Sequence, residues 1–136
     1  MIVIDTHILI WFVEADGRLG NEAREQIERA AIDAIIWVPA ICAWEIALLE
    51  KKEILPFGGG SLAWIREALA LPGFTQAPFE AAIAIDSVKL DWNNRDPADR
   101  IIVATARHLR EPLLTADRKI LEYATAGHLE AIDARR

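Results

Sequence analysis

Met1-Ile2-Val3-Ile4-Asp5-Thr6-His7-Ile8-Leu9-Ile10-Trp11 opens the chain and decides its architecture. Ile2 to Ile4 is a short, continuous apolar run ended by a carboxylate. Continuous rather than alternating apolar residues mark a strand buried on both faces, as strands of parallel sheets are. His7 to Val13 follows as a short helix. The same order, strand into helix, recurs further along. Ile35-Ile36-Trp37-Val38, ended by Pro39, is a second buried strand before a helix from Ala40 to Lys51. Leu113-Leu114-Thr115 is a third, before a helix from Asp117 to Ala124 that Gly127 stops.

The intervening segments fill in the pattern. Asn21 to Ala31 places Ala23, Ile27 and Ala30/Ala31 on one helical face. Within Ala40–Lys51 the spacing of Ile41, Trp44 and Leu48 suggests the apolar face, and Lys51-Lys52 suits the helix dipole. Leu55 to Gly60 is a loop. Ser61 is placed to cap a helix through Leu71, which Pro72-Gly73 breaks. Phe74 to Ala77 is a short strand, Phe79 to Leu90 a helix, and Asp91 to Arg95 a polar loop. Asp96 as N-cap, Pro97 at the first helical position and Asp99 two residues later start a helix to about Leu109. Leu129 to Ile132 suits a last strand. Strands alternating with helices imply a three-layer α/β/α sandwich around a central, mostly parallel sheet. The 136 residues suit a single domain spanning 1–136.

Bulk properties narrow the class. A hydrophobic fraction of 53% argues against disorder. Cys42 is the one cysteine, lies in an apolar helix, and fits a reducing, cytoplasmic setting. No signal peptide is recognisable, and no apolar run suits a membrane span. The net charge of −6 argues against a general nucleic-acid binder, unless a pocket of acids holding a cation accounts for it.

Five carboxylates stand beside core segments: Asp5, Glu45, Asp96, Asp99 and Asp117. Ionised acids there are costly unless paired or metal-bound. Ligands of such sheets bind beyond the carboxyl ends of the strands. Asp5 and Asp117 fall just after strands, and Glu45 and Asp99 sit on helices that can enter the same edge. The expectation is one acidic pocket for Mg²⁺ or Mn²⁺, whose preferred ligands are hard oxygens. A cation so held lowers the pKa of a water and orients it for attack on phosphorus, which makes phosphodiester hydrolysis the natural chemistry. Each acid also has a purely structural role open to it. Asp5, Asp96 and Asp117 can cap the helices that come after them, and Asp99 can complete a capping arrangement. Glu45, among apolar neighbours, is hardest to explain that way. Thr6 and Thr115 are placed to orient the acids by hydrogen bonds. Arg95, Arg100, Arg118 and Lys119 flank them and can meet substrate phosphates, or Arg100 can pair with an acid. The tryptophans suit core or interface better than base stacking. His7, His108 and His128 lack zinc-ligand spacing, and neither a phosphate-binding glycine loop nor a Gly-x-Ser-x-Gly elbow is present.

In order and spacing, Ile4-Asp5-Thr6-His7-Ile8-Leu9-Ile10-Trp11, Ala43-Trp44-Glu45-Ile46-Ala47, Asp96 to Ala106 and Leu114-Thr115-Ala116-Asp117-Arg118 resemble the four acidic segments of PIN-domain proteins. The compact length and the Asp-Thr-His start look most like VapC-like toxins of bacterial type II toxin–antitoxin modules. That resemblance implies a Mg²⁺- or Mn²⁺-dependent endoribonuclease, silenced by a cognate antitoxin and often a homodimer. It implies Asp5, Glu45, Asp99 and Asp117 as catalytic metal ligands, with Asp96 as an added acid and Thr6 and Thr115 supporting them. His7 stands where many relatives carry Ser. A receiver-like phospho-acceptor fits poorly, because Asp5 is followed by Thr6 rather than by another acid. A PIN-like scaffold that binds a partner without activity is the non-enzymatic alternative.

Overall fold

The computed structural model describes residues 1–136. In chain order the elements are β1 (Ile2–Ile4), α1 (Thr6–Val13), α2 (Asn21–Asp33), β2 (Ile36–Pro39), α3 (Ile41–Lys51) and α4 (Ser61–Leu69). They continue with β3 (Phe74–Ala77), α5 (Ala81–Lys89), α6 (Pro97–Leu109), β4 (Leu113–Thr115), α7 (Arg118–Thr125) and β5 (Ala131–Asp133). The five strands form one sheet in the order β3-β2-β1-β4-β5. Every pairing is parallel, so the sheet is wholly rather than mostly parallel.

Alternation along β1 divides the core. Ile2 and Ile4 point into a large cluster with Ile8 and Leu9 of α1, Ile27 of α2, Ile46 of α3 and Ile65 of α4. Val3 points the other way, onto Ile102 and Val103 of α6 and Ile120 of α7. Period-2 geometry thus makes a continuous Ile-Val-Ile run feed two helical layers. None of the helices is long and apolar enough to cross a membrane.

Several boundaries and faces differ from the sequence reading for local reasons. The core face of α3 is Cys42 and Ile46, one helical turn apart, and Trp44 is 57% exposed. Of the expected Ile41, Trp44, Leu48 face, Ile41 packs on the α6–α7 cluster while Trp44 turns to solvent, because helical spacing alone does not choose between two apolar stripes. Ser61 does not cap α4: Gly60 does so by backbone alone, at φ 92°. β5 starts at Ala131 rather than Leu129, because Leu129 packs on the α6–α7 cluster instead. Gly73, at φ 80°, leads into β3 where a Cβ would lie 2.9 Å from the Ala31 Cα, so a side chain has no room there.

Candidate active site

The sheet order reverses direction between β1 and β4, the place where open α/β sheets bind ligands. Asp5 stands just past the carboxyl end of β1, its N–H donating to the Leu114 carbonyl (3.1 Å). Its Oδ1 accepts from the Thr6 N–H (2.7 Å) and its Oδ2 from the Thr115 hydroxyl (2.6 Å). The Thr115 hydroxyl in turn accepts from the Asp117 N–H (3.1 Å), so one side chain ties the ends of both central strands together. Asp117 caps α7, its Oδ1 accepting from the N–H groups of Lys119 (2.8 Å) and Ile120 (3.3 Å).

Glu45 enters from α3 and accepts from the Thr6 hydroxyl through Oε1 (2.5 Å). Thr6 thus serves two acids, Asp5 by its backbone and Glu45 by its side chain. Asp96 caps α6, its Oδ1 accepting from the Ala98 N–H (3.0 Å). Asp99 lies one turn in, with Oδ2 accepting from the Asn94 amide (3.0 Å). Asn94 is buried, and its side-chain Oδ1 accepts from the Asp96 N–H (3.0 Å).

A cavity of about 290 Å³ opens among these groups, lined by Asp5, His7, Trp11, Glu45, Asp96, Asp99, Ala116, Asp117 and Arg135. All five expected acids line it. Larger hollows exist elsewhere, such as one of about 740 Å³ beside β5, but none gathers comparable chemistry. Burial pushes the Asp5 carboxyl above its usual range, against the bonds from Thr115 and Thr6. Burial also lifts Glu45 to about 7, opposed by the Thr6 bond and reinforced by repulsion from Asp5, Asp99 and Asp96. For Asp99 burial again leads, and repulsion from Asp96, Asp117 and Asp5 adds to it, giving about 6 against the Asn94 bond. The ion pairs Arg18–Asp16 and Arg107–Asp86 and the His108–Glu80 contact all lie elsewhere.

A PIN-domain family model matches residues 2–126. The chain belongs to the PIN-domain family. This PIN domain is 30% identical over 125 residues to Ribonuclease VapC22 of Mycobacterium tuberculosis (strain ATCC 25618 / H37Rv), covering 88% of each chain. It also resembles solved structures at lower identity. A toxin–antitoxin complex from Klebsiella pneumoniae matches at 24% identity and TM-score 0.65, over 98% of both chains. VapBC2 from Rickettsia felis, bound to a promoter DNA fragment, matches at 14% identity and TM-score 0.68, again over 98% of both. Those two likenesses speak for the fold.

The donor set of this PIN domain fits a hard divalent cation. Glu45, Asp96, Asp99 and Asp117 each commit one carboxylate oxygen to a protein donor and leave the other without one. The tied oxygen orients the group, and the free one remains for a ligand. No three of these side chains are drawn together at ligand spacing.

The flanking cations divide. Arg100 departs from the expectation. Its guanidinium donates to the carbonyls of Ser87, Val88, Leu90, Trp92 and Asn94, so it pairs with no acid and has no N–H left for a phosphate. Nothing in residue type distinguishes an arginine that holds carbonyls from one that meets phosphates. Arg95, Arg118 and Lys119 are exposed near the pocket without lining it. Asn94 and Arg135 were not singled out from the sequence. For Asn94 the signal was its place two residues before a capping Asp. Arg135 had none, because the strand before it was placed too early to bring it to this edge.

Proposed function

We propose that this PIN domain is a VapC-type endoribonuclease, the toxin of a type II toxin–antitoxin pair acting in the cytoplasm, and that Asp5, Glu45, Asp96, Asp99 and Asp117 hold Mg²⁺ or Mn²⁺. One observation carries the reading: carboxylates from four segments line one pocket, and each of the four besides Asp5 keeps an oxygen free. A stable fold has no use for such uncompensated charge. The kinship with a curated ribonuclease supports the chemistry, and the resemblance to toxin–antitoxin structures supports a cognate antitoxin as partner.

When bound, the divalent ion supplies Lewis-acid stabilisation of charge on the phosphate and a nucleophilic water at neutral pH. The chain does the positioning. Thr115 and Thr6 fix Asp5 and Glu45, so the two acids do not swing apart when both ionise. Asn94 fixes Asp99 in the same way. Raised proton affinity at Glu45 and Asp99 leaves them ready to exchange a proton for a cation near neutral pH. Arg95, Arg118 and Lys119 are assigned to RNA phosphates outside the pocket. A homodimer fits the exposed Trp44, Ile85 and Val88, which are 57%, 57% and 78% accessible.

The test is cleavage of a mixed tRNA and mRNA pool by purified, antitoxin-free protein with Mg²⁺, Mn²⁺ or EDTA, beside Asp5→Ala and Asp99→Ala. Metal-dependent cleavage lost in both variants supports the nuclease. A folded protein that binds Mn²⁺ and cleaves no RNA moves the substrate elsewhere. A folded protein that binds no metal removes the basis of the reading.

A further inference from the structure

Arg135 is the one arginine or lysine lining the acidic pocket, and it makes no ion pair. Its backbone is held on both sides. The Ala134 N–H donates to the Thr115 carbonyl (2.8 Å), and the Arg135 N–H to Asp133 Oδ1 (3.0 Å). The Gly20 N–H donates to the Ala134 carbonyl and the Glu22 N–H to the Arg136 carbonyl, both at 2.9 Å. Gly20 permits this crossing: a Cβ there would fall 2.0 Å from the backbone carbon of Arg136. Ala134 is fully buried and Arg135 is exposed, so a fixed backbone presents a free side chain. That side chain also borders a second hollow, lined by Arg118 and Glu122 of α7 and by Asp133 of β5 as well. Two guanidiniums without ion pairs therefore lead from the acidic pocket along the β4–β5 side.

We infer that Arg135 contacts a backbone phosphate of the RNA next to the one held in the acidic pocket, and that the strand leaves over Arg118. This rests on the ribonuclease reading above and adds the direction of the strand. A guanidinium fork matches two phosphate oxygens, which an ammonium cannot do in the same way.

The experiment measures binding of a fluorescent single-stranded RNA ten-mer by anisotropy, in an Asp99→Asn background that blocks cleavage, over a range of salt. Arg135→Ala is expected to weaken binding about tenfold and to lower the slope of log Kd against log salt by ~0.7, the value for one single-strand phosphate contact. Arg135→Lys should keep the slope and recover part of the affinity. With Asp99 intact, the loss should fall on KM, as for a contact made equally in ground and transition states. Gly20→Ala, which must displace the backbone that carries Arg135, should reproduce the weakening. The side chain of Arg135 makes no hydrogen bond within the protein, so Arg135→Ala should melt like the parent. An unchanged Kd and slope overturn the inference. So does tighter Mn²⁺ binding by calorimetry with unchanged RNA binding, which would make Arg135 a counter-ion for the acids. Should the unmutated protein cleave no RNA and Asp99→Asn bind none, the ribonuclease reading falls, and the phosphate contact with it.

Discussion

Arg100 and Asp99 are consecutive on α6, and their surroundings are opposite in kind. Arg100 has all three guanidinium nitrogens engaged, on five carbonyls between Ser87 and Asn94. Asp99 has one oxygen held by Asn94 and the other free, with Asp96, Asp117 and Asp5 repelling it. Asn94 joins the two networks, giving its backbone carbonyl to Arg100 and its side-chain amide to Asp99. A network in which every group is matched holds the chain in place. One with surplus charge of a single sign lowers stability, and a ligand of the other sign relieves it. The contrast separates architecture from chemistry within two residues.

The largest effect should come from removing charge on the unbalanced side. Asp99→Asn is expected to lower RNA cleavage on the order of 10²–10³-fold, the scale of losing one preorganised electrostatic group. The metal-free protein should melt at the same or a higher temperature, since a repelled carboxylate is gone. Initial rates and thermal melts of the same preparation check both. A variant that loses activity by unfolding would break the comparison.

Arg100→Met attacks the balanced side. Five carbonyls lose their donor, and roughly 3 kcal/mol of stability should go with them. Urea unfolding measures it. RNA affinity per folded molecule should hold, because Arg100 has no donor to offer a phosphate. A fall in affinity with little change in stability would restore Arg100 to the RNA surface that its sequence position first suggested.

These two neighbours also show how far the residues could be understood before the structure. The passage of Ile2–Ile4 into Asp5, and of Leu113–Thr115 into Asp117, was legible because parallel strands are continuous apolar runs whose carboxyl ends share one edge of the sheet. The acids were legible for the same reason: charge beside apolar sequence has few explanations. Arg100 was not, since a long side chain chooses among partners that only folding assembles. The outward turn of Trp44 was not legible either, because α3 has apolar residues on more than one face. Arg135 was invisible until the register Thr115 to Asp133 placed it at the pocket.

A pH series sharpens the contrast from the unbalanced side. Glu45 and Asp99 have folded-state values near 7 and 6, above their ordinary 4.5 and 3.8. For an acid raised in this way the folded state binds the proton more tightly than the unfolded one. Below about pH 4 both states are protonated and nothing is lost. As pH rises to about 7 the folded protein must ionise against burial and repulsion, so metal-free stability falls across that window. The loss should be about 1–3 kcal/mol after screening. Asp16, held down to about 2 by Arg18, acts below that window and does not mask it. Urea midpoints from pH 4 to 7.5 for the parent and Glu45→Gln check the sign. The variant's profile should be flatter, and saturating Mn²⁺ should flatten the parent's. Equal slopes in parent and variant would mean that the pocket is not where the pH dependence arises.

Thr115 gives the smallest effect and the finest division, because it belongs to both kinds of network. Its hydroxyl donates to Asp5 and accepts from the Asp117 N–H, so it orients an acid and satisfies a backbone group with one atom. Thr115→Val keeps the β-branched shape in β4 and removes only that atom. Two hydrogen bonds go, and stability should fall by a net of about 1 kcal/mol, because part of the loss is offset as Asp5 protonates more readily without its donor. Mn²⁺ affinity should fall by roughly tenfold, as when a supporting bond to a ligand is removed. Thr115→Ser restores the hydroxyl and should recover both. Recovery of stability without recovery of Mn²⁺ affinity would place Thr115 with Arg100 among the groups that only hold the chain, and would leave the orientation of Asp5 to the Thr6 backbone alone.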